Sequence, residues 1–170
     1  MNAASLLVAY AHRFKKQVKT GFAYLLILIV SFPLASAHAR ELTLINGDDT
    51  RHIATASLIP QADTTFTLFD PYQGREVEMR GFEFRDFLIE QFGDIPPALH
   101  FTAWDDYDVT LSGWDDPNWF MIVEEDGEPL TLRSRGPLRL VERDYGARDI
   151  NSLREFNDWV WMIRSIEARW

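Results

Sequence analysis

The stretch TFTLFDPYQGREVEM, residues 65–79, holds two runs of alternating apolar and polar residues on either side of a turn sequence. An apolar side chain at every second position is typical of a strand with one face on a core. Between the two runs, residues 70–74 read DPYQG, a composition suited to a tight turn. The stretch therefore predicts a β-hairpin whose first strand covers 65–69 and whose second strand resumes at Val77 and Met79.

The residues that follow the hairpin predict a short amphipathic helix over 83–92. Apolar side chains recur there at helical spacing, at Phe84, Phe87, Leu88 and Phe92. Gly93 is suited to end this helix, because glycine adopts the left-handed conformation of a helix C-terminus without strain. Farther along, Ser152 and Glu155 have the spacing of a capping box and predict a second short helix.

The remaining apolar patterns are short and strand-like. They cover residues 42–45, 53–59, 99–104, 109–111, 119–123, 138–141 and 159–166. The run from Trp119 to Val123 is continuously apolar, which predicts a strand buried on both faces. Many short strands with two short helices predict an α+β domain built on a mixed, mostly antiparallel β-sheet.

Residues 1–39 have the composition of an export signal. Basic residues at 13–19 precede an apolar run at 22–30, and Ala37-His38-Ala39 has the pattern of a cleavage site. We therefore expect a signal peptide over 1–39 and a single periplasmic or secreted domain over 40–170. The alternative is that the segment stays attached as an N-terminal membrane anchor.

The charge of the expected mature domain limits its partners. The full chain has a net charge of −9, and residues 1–39 contribute four positive and no negative charges, so 40–170 carries −13. Such a domain repels phosphate backbones, and binding to nucleic acid is not expected. The chain contains no cysteine, so an exported domain of this sequence forms no disulfides.

Two charged groups are candidate sites. Arginines cluster between 133 and 148 at Arg133, Arg135, Arg139, Arg143 and Arg148. Guanidinium groups suit carboxylate, sulfate or phosphate ligands, but they could equally pair with carboxylates of the domain itself. Acidic residues between 105 and 126 fit no EF-hand loop, and His52 and His100 are too few for a zinc or copper site. Trp114, in a polar loop, is the tryptophan expected to be most exposed, unless that loop folds over the core.

Three stretches of the C-terminal half carry a resemblance to a known family. They read DGEPL at 126–130, RGPLRLV at 135–141 and WVWMIRSIE at 159–167. Together they resemble the molybdopterin-binding domain of sulfite-oxidase-type oxidoreductases, and the similarity extends over roughly residues 66–170. The resemblance implies that fold, and it implies a ligand-binding region at Arg135, Gly136, Pro137 and Arg139, with Tyr107, Trp104 and Trp161 beside it.

The departures from that family bear on function. Its enzymes ligate molybdenum through a cysteine thiolate, which this chain cannot supply, and Val160 stands where a phosphate-binding lysine is often found. The signal also lacks the twin arginine of exported molybdopterin enzymes. We therefore expect a non-catalytic domain without a cofactor, binding a small anionic ligand or a membrane-bound sensory or redox partner protein. The alternative is a genuine molybdopterin-dependent oxidoreductase.

Overall fold

The computed structural model describes residues 40–170, which form a mixed α+β domain with mostly antiparallel strands. One α-helix, α1 (Phe84–Phe92), lies within this part of the chain. Its strands are β1 (Glu41–Asn46), β2 (Asp49–Ala54), β3 (Thr64–Asp70), β4 (Arg75–Glu83), β5 (Ala98–Ala103), β6 (Asp108–Ser112), β7 (Trp119–Glu125), β8 (Glu128–Pro129), β9 (Arg139–Glu142) and β10 (Ile163–Arg169). Short 3₁₀ turns cover Thr55–Ser57, Ile59–Gln61, Leu132–Ser134 and Leu153–Phe156.

The first sheet has the strand order β2-β1-β10-β5-β6. β1 and β10 run parallel, with Thr43 opposite Ser165, and the other neighbours pair antiparallel. β1 is the first strand of the described chain and β10 is the last. The parallel pair therefore joins the two ends of the domain through backbone hydrogen bonds.

The second sheet is built around β7. On one side β7 pairs with β4, which forms the predicted hairpin with β3. On the other side, the C-terminal end of β7 pairs with β8, and the N-terminal part of β7 pairs with β9. Gly81 of β4 passes so close to β7 that a Cβ atom there would lie 2.1 Å from the carbonyl oxygen of Met121. This contact requires glycine at the crossing.

Aromatic side chains connect the helix to both sheets. The ring of Phe84, at the start of α1, packs against Phe101 of the first sheet at 6.1 Å between centroids. Trp114 lies edge-on to both rings and also contacts Trp119 of the second sheet, at 5.3–5.5 Å. These contacts belong to one continuous core of buried residues.

The sequence patterns identify most of these elements. The hairpin, the helix and its end at Gly93, which has φ 83°, are confirmed, as is the burial of Trp119–Val123. The pattern at 53–59 is wrong as a strand, because β2 ends at Ala54 and a 3₁₀ turn follows. The last strand begins at Ile163 and not at 159, since Met162 adopts a positive φ of 55°.

The helix predicted from Ser152 and Glu155 is one 3₁₀ turn, Leu153–Phe156, and the side chain of Ser152 makes no capping hydrogen bond to it. Within residues 40–170, no helix is both long enough and apolar enough to cross a membrane. The expected export signal at 1–39 lies outside the described residues.

Candidate functional site

A buried ion group lies where the second sheet meets the β3–β4 turn. Arg139 of β9 has no exposed side-chain surface, and its Nη1 lies 2.6 Å from Oδ2 of Asp70 and 2.7 Å from Oε1 of Glu125. Asp70 ends β3 and Glu125 ends β7, so the contact ties three strands together. We call Arg139, Asp70 and Glu125 the Arg139 triad.

Further polar groups complete the coordination of the two carboxylates. Gln73 Nε2 donates to Oδ2 of Asp70 at 2.8 Å and to Oε2 of Glu125 at 3.0 Å. The backbone N–H groups of Tyr72 and Gln73 donate to Oδ1 of Asp70 at 2.8 and 3.2 Å. The turn at 70–74 is therefore folded around the carboxylate of its first residue, which is the behaviour expected of aspartate in a tight turn.

Asp70 is held in its charged form by these contacts. Burial raises the pKa of Asp70, but the hydrogen bond and the positive charge of Arg139, together with the bonds from Gln73 and Tyr72, outweigh burial and leave the pKa below its ordinary value of 3.8. With one arginine and two carboxylates, the triad has a formal charge of −1. The guanidinium is thus more than neutralised inside the domain.

Trp159 lies against the free side of this guanidinium. The carbon of the Arg139 guanidinium is 5.6 Å from the centroid of the Trp159 ring, which is the range of a cation–π contact. Among the described residues, Nε and Nη2 of Arg139 have no hydrogen-bond partner. The guanidinium therefore hydrogen-bonds through Nη1 and packs against the indole ring of Trp159.

On the surface above Trp159 is a cleft of about 280 Å³. We call it the aromatic cleft, and it is lined by Tyr72, Asp105, Tyr107, Asn157, Trp159 and Trp161. The lining residues come from the β3–β4 turn, the β5–β6 turn and the segment that leads into β10. The two hairpin turns and this segment are placed side by side by the sheet pairings, so the cleft is formed by residues distant in sequence.

The tyrosine of the β3–β4 turn is fixed by its own contacts. The ring of Tyr72 packs edge-to-face on Trp161, with 4.7 Å between centroids and 79° between planes. Its hydroxyl donates to the carbonyl oxygens of Phe156 at 2.9 Å and Leu153 at 3.3 Å. Burial, followed by the negative charge of Asp158, raises the pKa of Tyr72 above 10.0 although Arg139 lowers it. Tyr72 is therefore a neutral wall of the cleft.

Direct contacts connect the triad to the residues that line the cleft. The carboxylate of Asp70 holds the backbone of Tyr72, and the guanidinium of Arg139 supports the ring of Trp159. Arg139 also forms an antiparallel backbone bridge with Trp161. Two walls and the floor of the cleft therefore depend on residues of the triad or on their immediate neighbours.

The structure brings together only some of the residues that the resemblance implies for ligand binding. Tyr107, half exposed, and Trp161, half buried, line the aromatic cleft. Trp104 is exposed and does not line it; the ring lies 6.0 Å from the guanidinium carbon of Arg164. The prediction that Arg139 presents a site to an external anion does not agree with its position, because the side chain is fully buried and bound to two carboxylates.

The other three residues implied by the resemblance, Arg135, Gly136 and Pro137, determine the path of the backbone before β9. Arg135 adopts φ 64° and its carbonyl oxygen accepts a hydrogen bond from the N–H of Met162 at 2.9 Å. Gly136 is buried, and a Cβ atom there would lie 2.4 Å from the Cβ of Leu130. Pro137 follows through a cis peptide bond and lines a different cavity, beside Val123 and Leu130. These positions shape the entry to β9 and do not line the aromatic cleft.

Arg148 and Trp114 follow the alternatives that the sequence leaves open, because Arg148 pairs with carboxylates of the domain and the loop of Trp114 folds over the core. Arg148 pairs with Glu142 at 2.7 Å and with both oxygens of Asp158 at 2.9 Å. Arg143 lies over the ring of Phe120. Trp114, for which the sequence left exposure or a loop folded over the core as alternatives, is 2% exposed and donates from Nε1 to the carbonyl oxygen of Leu111. Its loop folds over the core because Trp114 completes the aromatic cluster between the sheets.

Within residues 40–170, no group of three or more histidine, aspartate or glutamate side chains is arranged to hold a metal ion. The acidic residues between 105 and 126 are distributed over turns and strand ends. Four cleft residues are absent from the set predicted from the sequence, Tyr72, Asp105, Asn157 and Trp159, and Asp70 is predicted there only as a turn residue. The one local signal for the cleft is the tyrosine inside the turn DPYQG, an aromatic side chain where small or polar residues are usual.

Comparison with known proteins adds no identification. The chain matches no protein-family model and no curated protein sequence.

Replacement of Arg139 by methionine should lower the free energy of unfolding by about 3–5 kcal/mol, because it leaves two buried carboxylates facing each other without a cation. Urea unfolding at neutral pH measures this. The matched control is Arg75→Met, which removes the exposed pair between Arg75 and Asp126 and should change stability far less. Equal losses for the two variants would contradict a structural role for the triad.

The contribution of Asp70 should depend on pH. Its pKa is lowered in the folded protein, so its stabilisation is present above the ordinary value of 3.8 and is lost as the pH falls through the lower folded value. The difference in unfolding free energy between the unaltered protein and Asp70→Asn should be constant above about pH 5 and should shrink below 3.8. Urea titrations at a series of pH values test this, and a difference that does not change with pH would refute it.

Proposed function

We propose that residues 40–170 are an exported binding domain without catalytic activity, and that the aromatic cleft is its ligand site. The observation that carries this proposal is the composition and support of the cleft. Aromatic side chains with few polar groups are typical of small-molecule sites, and the volume of about 280 Å³ is close to the lower end of their usual range of roughly 300–1,000 Å³. The ion triad below the cleft holds its walls in place before any ligand arrives, which lowers the entropy cost of binding.

A sulfite-oxidase-like fold is the second part of the proposal. It is supported by the spatial arrangement of the stretches that carry the resemblance. The N–H of Gly136 donates to the carbonyl oxygen of Thr131 at 2.7 Å, and the N–H of Leu140 donates to that of Val160 at 2.7 Å. The stretches around 126–130, 135–141 and 159–167 thus lie beside one another, as parts of one site would. A membrane-bound partner protein, for which exposed Trp104 is a candidate contact, stays a prediction.

The molybdopterin cofactor of that family does not fit the residues present. The metal would have no thiolate ligand, because the chain contains no cysteine. A phosphate-bearing cofactor also needs basic side chains in its cleft, whereas the lining here contributes Asp105, and Arg139 below is already shared by Asp70 and Glu125. We therefore derive no redox step, and the oxidoreductase alternative lacks support from the geometry.

Elemental analysis of protein purified from the exported compartment should find no stoichiometric molybdenum, since no thiolate is available to hold the metal. A content of about one molybdenum per chain would contradict the proposal and favour the oxidoreductase alternative. Protein purified from cells grown with added molybdate is the control for limiting supply.

The binding site itself is tested by NMR with four probes of different charge: choline, 3,3-dimethyl-1-butanol, benzoate and sulfate. At least one organic probe should shift the indole N–H signals of Trp159 and Trp161 in a saturable way, and Trp161→Ala should weaken that binding about tenfold or more because it removes a wall of the cleft. The matched control is Trp170→Ala, an exposed tryptophan at the far end of β10, which should bind as the unaltered protein does.

Two outcomes would overturn the assignment of the cleft. One is the absence of a saturable shift with all four probes. The other is a shift that persists unchanged in Trp161→Ala. Saturable binding of sulfate or benzoate would restore the expectation of an anionic ligand, at a position other than Arg139.

A further inference from the structure

The charges around the aromatic cleft are unbalanced in favour of the carboxylates. Below the cleft, Arg139 faces two carboxylates, and beside it Arg148 faces Glu142 and Asp158. Each network has a formal charge of −1. Asp105 on the lining adds a further negative charge, whereas Arg164 near Trp104 is matched by Asp106 at 3.3 Å. The neighbourhood of the cleft is therefore anionic although it contains three arginines.

The walls of the cleft attract positive charge as well. Tyr72, Tyr107, Trp159 and Trp161 present aromatic rings, whose faces carry partial negative charge. A cation within about 6 Å of a ring centroid gains roughly 0.5–2 kcal/mol for each favourable contact. One side of Trp159 already meets the guanidinium of Arg139, so Tyr107 and Trp161 are the rings available to a ligand.

The polar groups in the cleft distinguish between kinds of cation. A primary ammonium carries three N–H donors, and each must find an acceptor when it leaves water. The hydroxyl of Tyr72 already donates to Phe156 and Leu153, and Oδ1 of Asp105 accepts from the N–H of Tyr107 at 3.2 Å. Among the described lining residues, Asp105 is the one carboxylate and keeps one oxygen free, and the other side-chain acceptors are neutral: the amide oxygen of Asn157 and the phenol oxygens of Tyr72 and Tyr107. An alkylated ammonium has no donors to satisfy and loses less on desolvation.

We propose that the aromatic cleft binds a small organic molecule with a quaternary or otherwise fully alkylated ammonium group, an inference that rests on the proposed binding function of the same cleft. The cation lies against Tyr107 and Trp161, and Asp105 at the rim supplies charge complementarity. The volume of about 280 Å³ is sufficient for a molecule the size of choline. The ligand class is thus the opposite in charge to the anion expected from the arginine cluster.

The direct test compares choline with its neutral isostere 3,3-dimethyl-1-butanol by isothermal titration calorimetry. The two molecules have the same shape and differ in charge. Choline should bind about tenfold more tightly, since the cation–π and charge terms are lost in the isostere. Raising the ionic strength should weaken choline binding and leave binding of the isostere unchanged.

Three variants test which residues of the cleft contribute to choline binding. Tyr107→Ala and Trp161→Ala should each reduce choline affinity about tenfold, and Asp105→Asn should reduce it about two- to fivefold because that carboxylate is exposed and screened. Asp115→Asn, an exposed aspartate outside the cleft, is the matched control and should have no effect. Thermal unfolding of each variant establishes that the fold survives.

The outcomes separate this inference from the function on which it rests. Equal affinities for choline and its isostere, both reduced by Trp161→Ala, would overturn the cation inference and leave the binding function intact. Binding to phosphatidylcholine vesicles without binding of free choline would overturn the assignment to a small molecule. If choline, the isostere, benzoate and sulfate all fail to bind, both proposals are wrong.

Discussion

Arg139 is a fully buried cation in the middle of a domain whose other charges are mostly on the surface, and the ends of three strands are arranged to meet it. An ion transferred from water into a protein interior costs several kcal/mol unless it is paired and hydrogen-bonded. Asp70, Glu125 and Gln73 supply that pairing. The ends of β3 and β7 must therefore lie beside the beginning of β9, and another pairing of these strands would leave a buried charge uncompensated.

This constraint extends to the surface. The carboxylate of Asp70 fixes the turn that carries Tyr72, and the guanidinium supports Trp159 from below. The rings that line the aromatic cleft are thus positioned by an interior ion group. The same group determines the electrostatics above it, because one arginine shared by two carboxylates adds negative charge to the cleft. In the sequence, Arg139 is a candidate anion site. In the structure it is paired with two carboxylates, and the group as a whole is negative.

The elements that the sequence predicts well are those encoded by neighbouring residues. The β3–β4 hairpin follows from alternation on either side of a turn, and α1 follows from apolar spacing and Gly93. The triad could not be predicted in this way, since Arg139 lies 69 residues from Asp70 and 14 from Glu125. The position of Trp114 stays open in the sequence for a related reason. Its neighbours along the chain are polar, but its burial is decided by Phe84, Phe101 and Trp119, which are distant along the chain or on another element.

The family resemblance has a similar limit. Its motifs identify residues that do lie together, around the entry to β9, but they do not identify what those residues do. Gly136 allows a close backbone approach, and Arg135 caps a 3₁₀ turn. Only Tyr107 and Trp161 of the implied set reach the cleft. The chemistry of a site depends on charge balance and exposure, and neither is visible in a short motif.

The central claim is that Arg139 and Asp70 stabilise the domain as a pair. A double-mutant cycle measures this directly, using urea unfolding of the unaltered protein, Asp70→Asn, Arg139→Met and the variant with both substitutions. The account predicts a coupling energy of about 2 kcal/mol or more, since Arg139→Met leaves the buried carboxylate of Asp70 without its cation and the double substitution removes that negative charge as well. Effects that add to within about 0.5 kcal/mol would show that the two residues act independently, and would contradict the account.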